Sequence, residues 1–136
     1  MKKYLILVVV ILGLSLALSA CGGGSSASTK IDVTMTDFMF DPMEFTVPAG
    51  KEITINATNN GAVEHEFVIF NLGADAGDKF GPEDEDNIYW EVEVQPGESV
   101  TETFTAPGEV GNYYITCGIE GHLQAGMQAG LNVVAE

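Results

Sequence analysis

The sequence predicts an all-β fold, a sandwich or barrel built from short strands. Apolar and polar residues alternate along several short runs, as they do in strands with one face in the core. Glycine, proline and asparagine clusters such as Pro48-Ala49-Gly50 separate these runs, and no convincing helical apolar stripe follows residue 20. Short alternating strands divided by turn residues are typical of sandwiches and barrels.

Residues 1–20 predict an export signal and not a part of the fold. Two lysines near the start precede an uncharged apolar run over residues 4–18, which ends in Leu-Ser-Ala. This is the pattern of a cleaved signal peptide, and the run is short for a membrane span of about 20 residues. The following residue, Cys21, resembles the lipid-modified cysteine of a bacterial lipobox. An ordinary signal peptide or an uncleaved anchor is the alternative.

Residues 21–29 predict a lipidated Cys21 followed by a tether. The stretch GGGSSAST is rich in glycine and serine, a composition that behaves as a flexible linker and packs poorly. A tether directly after a lipid anchor would hold a folded domain away from a membrane. We therefore expect one domain over residues 30–136, lipid-anchored on the extracytoplasmic face of a bacterial membrane or in the periplasm.

Alternation within the domain predicts strands near residues 31–36, 45–47, 53–57, 64–70, 89–94, 99–106, 112–117 and 130–134. Residues 71–87 break this rhythm, because they are acidic, rich in glycine and too long for a hairpin loop. Their densest charge run is Glu83–Asp86. We expect a solvated surface loop, and a docking patch for a basic partner is the alternative.

The chain is strongly acidic, with a formal net charge of −15 from 20 acids and five lysines. Loss of Lys2 and Lys3 with the signal leaves three lysines against 20 acids, a charge of −17. This charge argues against nucleic acid and against docking on anionic lipid, and it favours a basic partner or a saline medium. With Cys21 assigned to the lipobox, Cys117 has no cysteine partner in the chain.

Strand phase directs one histidine and the remaining cysteine toward the core. Thr116, which precedes that cysteine, is expected to face out. His65 shares a strand face with Phe67 and Ile69, while Cys117 shares one with Ile115. Each lies at the end of its strand, so the two side chains can meet. Taken singly, a buried structural histidine and a small buried thiol are the ordinary interpretations.

His122 and Met127 follow Cys117 in a glycine-rich segment that can fold back over the same point. Two imidazoles and one thiolate with a weak axial methionine form the ligand set of a blue-copper electron-transfer site. A core-filling role is the ordinary interpretation of a single methionine. The joint pattern uses both histidines and the one cysteine outside the lipobox, so it predicts a copper site.

These motifs resemble the cupredoxin family, which includes plastocyanin, azurin, auracyanin and rusticyanin. The resemblance covers residues 31–134 and rests on EHEFVIF, PGESVTETFTAPGEVGNYYITC and CGIEGHLQAGM. It implies a Greek-key β-sandwich or barrel of about seven to eight strands with one type 1 copper. By resemblance, His65, Cys117 and His122 are the equatorial ligands and Met127 is the axial one. The Cys-x4-His-x4-Met spacing is most similar to that of auracyanin and rusticyanin.

Two further expectations come from the resemblance. Many relatives carry asparagine directly after the first histidine, a residue that helps to tie the ligand loops together, and this chain has Glu66 there. Thr116 is a candidate to contribute instead. His122 is expected to be the electron port, surrounded by an apolar surface patch of Gly118, Ile119, Leu123 and Ala125.

The resulting hypothesis is a membrane-tethered, monomeric one-electron carrier that passes electrons between redox proteins such as a cytochrome or a membrane oxidoreductase. The alternative is an extracytoplasmic copper-handling protein without redox turnover, for which Met35, Met39 and Met43 are candidate ligands. A copper enzyme needs further histidines, which the chain lacks. A metal-free adhesion-type sandwich leaves Cys117 unexplained.

Overall fold

The computed structural model describes residues 26–136, and within that range it contains nine strands and one 3₁₀-helix. In chain order the strands are β1 (Lys30–Thr36), β2 (Met39–Asp41), β3 (Glu44–Pro48), β4 (Glu52–Asn59), β5 (His65–Phe70), β6 (Ile88–Val94), β7 (Ser99–Thr105), β8 (Gly111–Thr116) and β9 (Gln128–Val134). The 3₁₀-helix, Pro82–Asn87, precedes β6. The predicted all-β class is confirmed. The strand not predicted is β2, whose three residues are too few to show an alternating pattern.

The strands form two sheets that pack face to face. A four-stranded sheet has the order β2-β1-β4-β7, and a five-stranded sheet has the order β3-β9-β8-β5-β6. The pairs β1–β4 and β3–β9 are parallel, and the other neighbouring strands are antiparallel. Both parallel pairs join strands that are distant in the chain, so each sheet combines early and late segments.

The main core lies between the sheets and is built from alternate residues of the strands. In β4, for example, Ile53, Ile55 and Ala57 are fully buried, while the residues between them are partly exposed. Cys117 belongs to the same buried cluster as these apolar side chains, and His65 is fully buried as well. The core side of the sandwich therefore reaches directly into the candidate metal site.

A second, smaller core covers the outer face of the five-stranded sheet. Val68 and Phe70 of β5 point away from the main core, yet both are fully buried. They pack with Ala76 and Phe80 of the long acidic segment, and the Phe70 and Phe80 rings lie 6.2 Å apart in an edge-to-face contact. The segment expected to be a solvated loop thus covers one face of the sheet.

The acidic run Glu83–Asp86 forms most of the 3₁₀-helix, and its charges are not all on the surface. Asp84 is buried, and its carboxylate accepts a 2.8 Å hydrogen bond from the backbone N–H of Gly81 at the start of the helix. Its neighbours Glu83, Glu85 and Asp86 are exposed. Asp84 therefore caps the helix and is unavailable to a docking partner.

The predicted signal peptide and Cys21 lie outside the described residues. Between residues 26 and 136, no helix has the length and apolar character needed to cross a membrane. The first residues with backbone bonds to the domain are Ser28, whose N–H donates to Thr46, and Thr29, whose carbonyl accepts from Thr54.

Candidate metal centre

Three buried donor atoms converge at one end of the sandwich. Nδ1 of His65 lies 3.2 Å from Nδ1 of His122, and Sγ of Cys117 lies 3.3 Å from Nδ1 of His122. The remaining separation, between Cys117 Sγ and His65 Nδ1, is 3.9 Å. The structure thus brings together residues that are 52 and 57 positions apart in the chain.

Two antiparallel strands and one turn position these donors. His65 begins β5 and Cys117 directly follows β8, and the two strands are hydrogen-bonded neighbours in the five-stranded sheet. The backbone N–H of Cys117 donates to the carbonyl of Met127 over 3.2 Å, which closes the intervening loop. Gly121 and Gly126 adopt positive φ values of 86° and 99° in that loop. Side chains other than glycine rarely adopt this backbone conformation.

Burial sets the protonation behaviour of the donors. His65 and Cys117 are fully buried, and 6 % of His122 is exposed. Burial lowers the pKa of both histidines, and a nearby positive charge on His122 would lower that of His65 further. Burial also raises the pKa of the Cys117 thiol. Neutral imidazoles can donate their lone pairs, and a bound metal ion would itself drive the thiol to its deprotonated form.

The separations fit a single first-row metal ion. Taking zinc as a reference, bonds of about 2.0–2.1 Å to imidazole and about 2.3 Å to thiolate separate donors of a three-coordinate ion by roughly 3.5–3.8 Å. The observed distances of 3.2, 3.3 and 3.9 Å are close to this range. Imidazole and thiolate together are ligands that copper and zinc accept readily.

Met127 lies fully buried beside the three donors, in the same core cluster as Cys117. Its N–H donates to the carbonyl of His122 over 3.0 Å, which ties the methionine to the histidine of the same loop. Thr116 was expected to face outward, but it is fully buried, and its hydroxyl donates to the Met127 carbonyl over 3.2 Å. Thr116 therefore fixes the far end of the loop.

Glu66 stands where an asparagine was expected, and the structure separates the roles of its backbone and its side chain. Its backbone N–H donates to Cys117 Sγ over 3.4 Å, a contact that any side chain at this position allows. The carboxylate lies against Gly118, where an added Cβ would collide with it. Burial raises the pKa of Glu66 to about 7, helped by the carboxylates of Glu91, Glu64, Glu93 and Glu85.

The surroundings of His122 match the expected apolar patch in part. Ala125 is exposed, and Gly118 and Ile119 are partly exposed, but Leu123 is buried in the second core. Phe38 is a further exposed apolar neighbour of His122, and its ring meets the imidazole edge-to-face at a centroid distance of 5.2 Å. The rim of the site therefore combines neighbours in sequence with a contact across the fold.

Three residues around His65 were not singled out from the sequence. Asp37 Oδ1 lies 3.4 Å from His65 Nε2, and the buried Asn59 amide donates to the carbonyls of Val63 and Val94. A Cβ on Gly61 would lie 2.5 Å from Asp37 Oδ1 and 2.7 Å from His65 Nε2. The Asn59-Asn60-Gly61 turn was the only available signal, and it predicts a turn without naming its neighbours.

Together the two-sheet sandwich and the buried donor set of two histidines, one cysteine and one methionine define the class of small metal-binding β-sandwich proteins. A family model for the cupredoxin-like domain matches residues 5–128, and the chain belongs to this family.

Three known proteins show how the chain relates to other members. It is 33% identical to auracyanin-A of Chloroflexus aurantiacus over 130 residues, with 75% of this chain and 80% of the relative covered. It is also 33% identical to the copper-resistant cuproprotein CopI of Rubrivivax gelatinosus over 114 residues, covering 78% and 67%. The crystal structure of reduced auracyanin from Roseiflexus castenholzii superposes with a TM-score of 0.68 at 32% identity, covering 79% of this chain and 98% of that one.

Proposed function

We propose that the protein is a one-electron carrier that binds a single type 1 copper ion through His65, Cys117, His122 and Met127. The observation that carries this proposal is the convergence of two Nδ1 atoms and one Sγ within 4.8 Å of one another, all on buried side chains. The auracyanin relatives support it, since auracyanin A is described as a blue copper protein.

Bound copper would accept and release one electron, and the chain's residues would hold it in a fixed, dry environment. His65 and Cys117 are held by two neighbouring strands, so the fold itself fixes these two donor positions. The backbone N–H of Glu66 donates to the sulfur and reduces the charge it presents. The apolar core behind Cys117 and Met127 excludes water, which keeps the rearrangement that accompanies electron transfer small.

His122 is the proposed point of electron entry and exit. It is the one histidine of the pair with any exposed surface, whereas His65 is fully enclosed. A redox partner that docks over His122 would approach the metal through a single imidazole ring. Since both histidines of the chain serve the same centre, no further histidine remains for a second, catalytic copper.

Copper handling without redox turnover is the second candidate, and the copper-resistant relative CopI favours it. The three methionines suggested for this role do not form one exposed group. Met35 is fully buried in the main core, while 48% of Met39 and 58% of Met43 are exposed. Rapid, reversible oxidation and reduction of the bound metal would support the carrier, and copper release on reduction would support the handling role.

A copper titration of the purified, metal-free protein tests the site. We expect one equivalent of Cu(II) to bind and produce an intense visible band from the sulfur of Cys117. The Cys117→Ser variant should lose this band. Its copper affinity should fall by more than the loss of about 10–100-fold that is typical when a residue contacting a metal ligand is replaced. A colourless wild-type protein, or colour that survives in Cys117→Ser, would contradict the proposal.

The axial assignment of Met127 has its own test. Leucine has similar volume and is apolar, so Met127→Leu should keep the core packed and the protein coloured. Loss of the thioether should raise the reduction potential, because the axial ligand tunes it. An unchanged potential would show that Met127 is only part of the core.

We also propose a lipid anchor at Cys21 and an extracytoplasmic location. The geometry of β1 supports this arrangement: Lys30 pairs with Thr54 at one end of the sheet, and Met35 pairs with Asn59 near the metal end. A tether entering at Lys30 would leave the metal end facing away from the membrane. The Cys21→Ala variant should move from the membrane fraction to the soluble fraction, and retention would contradict the anchor.

The proposed partner is a redox protein with a basic docking face, and the carrier is proposed to be a monomer. The acidic net charge supports this choice, as do the carboxylates of Glu64, Glu66 and Glu93, which lie within 4.8 Å of one another beside the metal site. The rate of electron transfer to a basic cytochrome should fall as salt is added. A rate independent of salt would argue for an apolar interface.

A further inference from the structure

The two-residue turn between β1 and β2 contacts both histidines of the metal centre. Its first residue, Asp37, places Oδ1 3.4 Å from Nε2 of His65. Its second residue, Phe38, places its ring against His122 with a centroid distance of 5.2 Å and an interplanar angle of 88°. This turn comes from the other sheet and supplies none of the four proposed ligands.

Asp37 faces the one atom of His65 that lacks a partner. Nδ1 of His65 points to the donor set, whereas Nε2 is fully buried and has no hydrogen-bond partner within the described residues. A buried N–H without an acceptor destabilises the folded state, because it has lost its hydrogen bond to water. The Asp37 carboxylate is the group placed to offset this cost, and the N–H of Ala62 holds it there over 2.9 Å.

The space for this approach depends on a glycine. At position 61 an added Cβ would lie 2.5 Å from Asp37 Oδ1 and 2.7 Å from His65 Nε2. Any other residue would force the carboxylate or the imidazole to shift. Gly61 itself is fixed by its N–H, which donates to the buried Asn59 side chain over 2.8 Å. The glycine, the aspartate and the histidine therefore form one connected arrangement.

Phe38 adopts a backbone conformation that its side chain disfavours. Its φ is +72°, and it is the one residue other than glycine with a positive φ in the described part of the chain. A bulky residue in this region is strained, and the strain persists only when surrounding contacts impose it. The ring contact with His122 is the contact that this conformation provides, although 48% of Phe38 remains exposed.

We propose that the Asp37-Phe38 turn is a positioning element for both histidines of the metal centre. The proposal rests on the copper site proposed above. Asp37 holds the proton of His65 on Nε2, which leaves the Nδ1 lone pair directed at the metal, as in other carboxylate–histidine–metal arrangements. Its negative charge also favours the more highly charged oxidised metal. Phe38 holds the ring of His122 from its open side.

The first test needs no metal. In the copper-free protein near pH 8, nitrogen-detected NMR should show His65 with its proton on Nε2. Asp37→Ala should raise the share of the Nδ1–H form, because the acceptor is lost. Asp37→Asn should keep the Nε2–H form, since its amide oxygen can still accept. Phe38→Ala should broaden the His122 ring signals and leave those of His65 unchanged.

The second test uses Cu(II) and separates hydrogen bonding from charge. Asp37→Ala should lower copper affinity by about 10–100-fold, the loss typical of outer-shell partners. Asp37→Asn should lower it less, but should shift the oxidised-to-reduced ratio toward the reduced form by several-fold. A tenfold shift corresponds to about 59 mV for one electron. Asp41→Asn, on the same hairpin but paired with Thr34, is the control and should change neither.

These outcomes distinguish the two proposals. If the wild-type protein binds no copper, the function fails, and the NMR result alone decides whether Asp37 positions His65. If the wild-type protein is blue but both Asp37 variants match Asp41→Asn in tautomer, affinity and potential, the positioning role is overturned. Melting curves of each variant will identify any loss of folding, and the near-isosteric Asp37→Asn keeps the test valid if Asp37→Ala unfolds.

Discussion

His65 and His122 present the same atom, Nδ1, to the same point, yet different parts of the fold hold them there. His65 begins strand β5, pairs with Val94 on β6 and is fully buried. His122 lies in a turn, with its N–H bonded to the carbonyl of Ile119, and it retains 6% exposure. One ligand is set by a β-ladder, and the other depends on a loop.

The loop that carries His122 packs against side chains outside the main core. Leu123, next to His122, is buried in the second core, which the acidic segment 71–87 completes through Ala76 and Phe80. Most of that segment is exposed, as expected of a solvated loop, but Ala76 and Phe80 also cover one face of the sheet. The strand ligand is thus positioned by the sandwich itself, whereas the ligand loop also packs against segment 71–87 through Leu123.

The largest expected effect is a difference between the two histidines in how easily a small molecule from solvent can take the place of the ring. Replacing either with glycine should abolish the intense visible band of the copper-loaded protein. Excess imidazole should restore the band in His122→Gly, because that ring reaches the surface, and not in His65→Gly, whose cavity is closed. Absorption spectra with and without imidazole make the measurement. Equal restoration in both variants would show that the two sites do not differ in access.

A smaller effect should follow from removing the support of the loop. Leu123→Ala should destabilise the protein by about 2–5 kcal/mol, the usual range for a buried leucine. It should also weaken copper binding, because the turn that carries His122 loses its attachment to the second core. Denaturant unfolding and copper titration measure the two effects.

The matched control for this variant is Leu131→Ala, a fully buried leucine in β9 within the main core. It should lower the free energy of unfolding by a similar amount but leave copper affinity close to that of the wild type. If both variants weaken copper binding equally, the second core has no special link to the ligand loop.

The smallest expected effect concerns pH and the strand that carries His65. The pKa of Glu66 is raised from 4.5 to about 7 in the folded protein, so the folded state binds more protons between these values. Stability of the copper-free protein should therefore fall as pH rises from about 4.5 to 7 and remain lower above that range. Glu66 lies opposite Glu93 across the β5–β6 pair, which adds like-charge repulsion.

Replacing Glu66 with glutamine should remove this loss and stabilise the copper-free protein near pH 8. Solvent screening limits the gain to about 0.2–1 kcal/mol. The gain should be absent near pH 4, where the carboxyl is protonated in both states. Urea unfolding at the two pH values measures it, with the exposed Glu102→Gln as a control. A gain that is independent of pH would rule out repulsion as its cause.

Much of the site could be predicted from local patterns. The alternation in EHEFVIF and NYYITC predicted that His65 and Cys117 face the core, and both are fully buried. The same rule was wrong for Thr116, which is buried although it alternates with core residues. At the end of β8 the loop that returns through Met127 covers the outer side of the strand, so alternation no longer indicates exposure.

Contacts between distant segments were beyond prediction from spacing. Val68 and Phe70 belong to an apolar run whose second face is covered only because segment 71–87 folds back on it. Asp37 and Phe38 lie outside the predicted strands and motifs, and their contacts reach 28 and 84 residues along the chain to His65 and His122. Leu123 was expected at the surface, because the side chains that bury it in the second core lie in other segments of the chain.

The sequence by itself determined the all-β class and the donor set, because strand periodicity and ligand chemistry depend on residue types a few positions apart. Only the tertiary structure decided which side chains surround the donors. Asp37 beside His65, Phe38 against His122 and Leu123 within a second core all arise from packing between elements that are far apart in the chain. Such contacts depend on how the two sheets and the long segment 71–87 fill space together, and local residue patterns do not encode that arrangement.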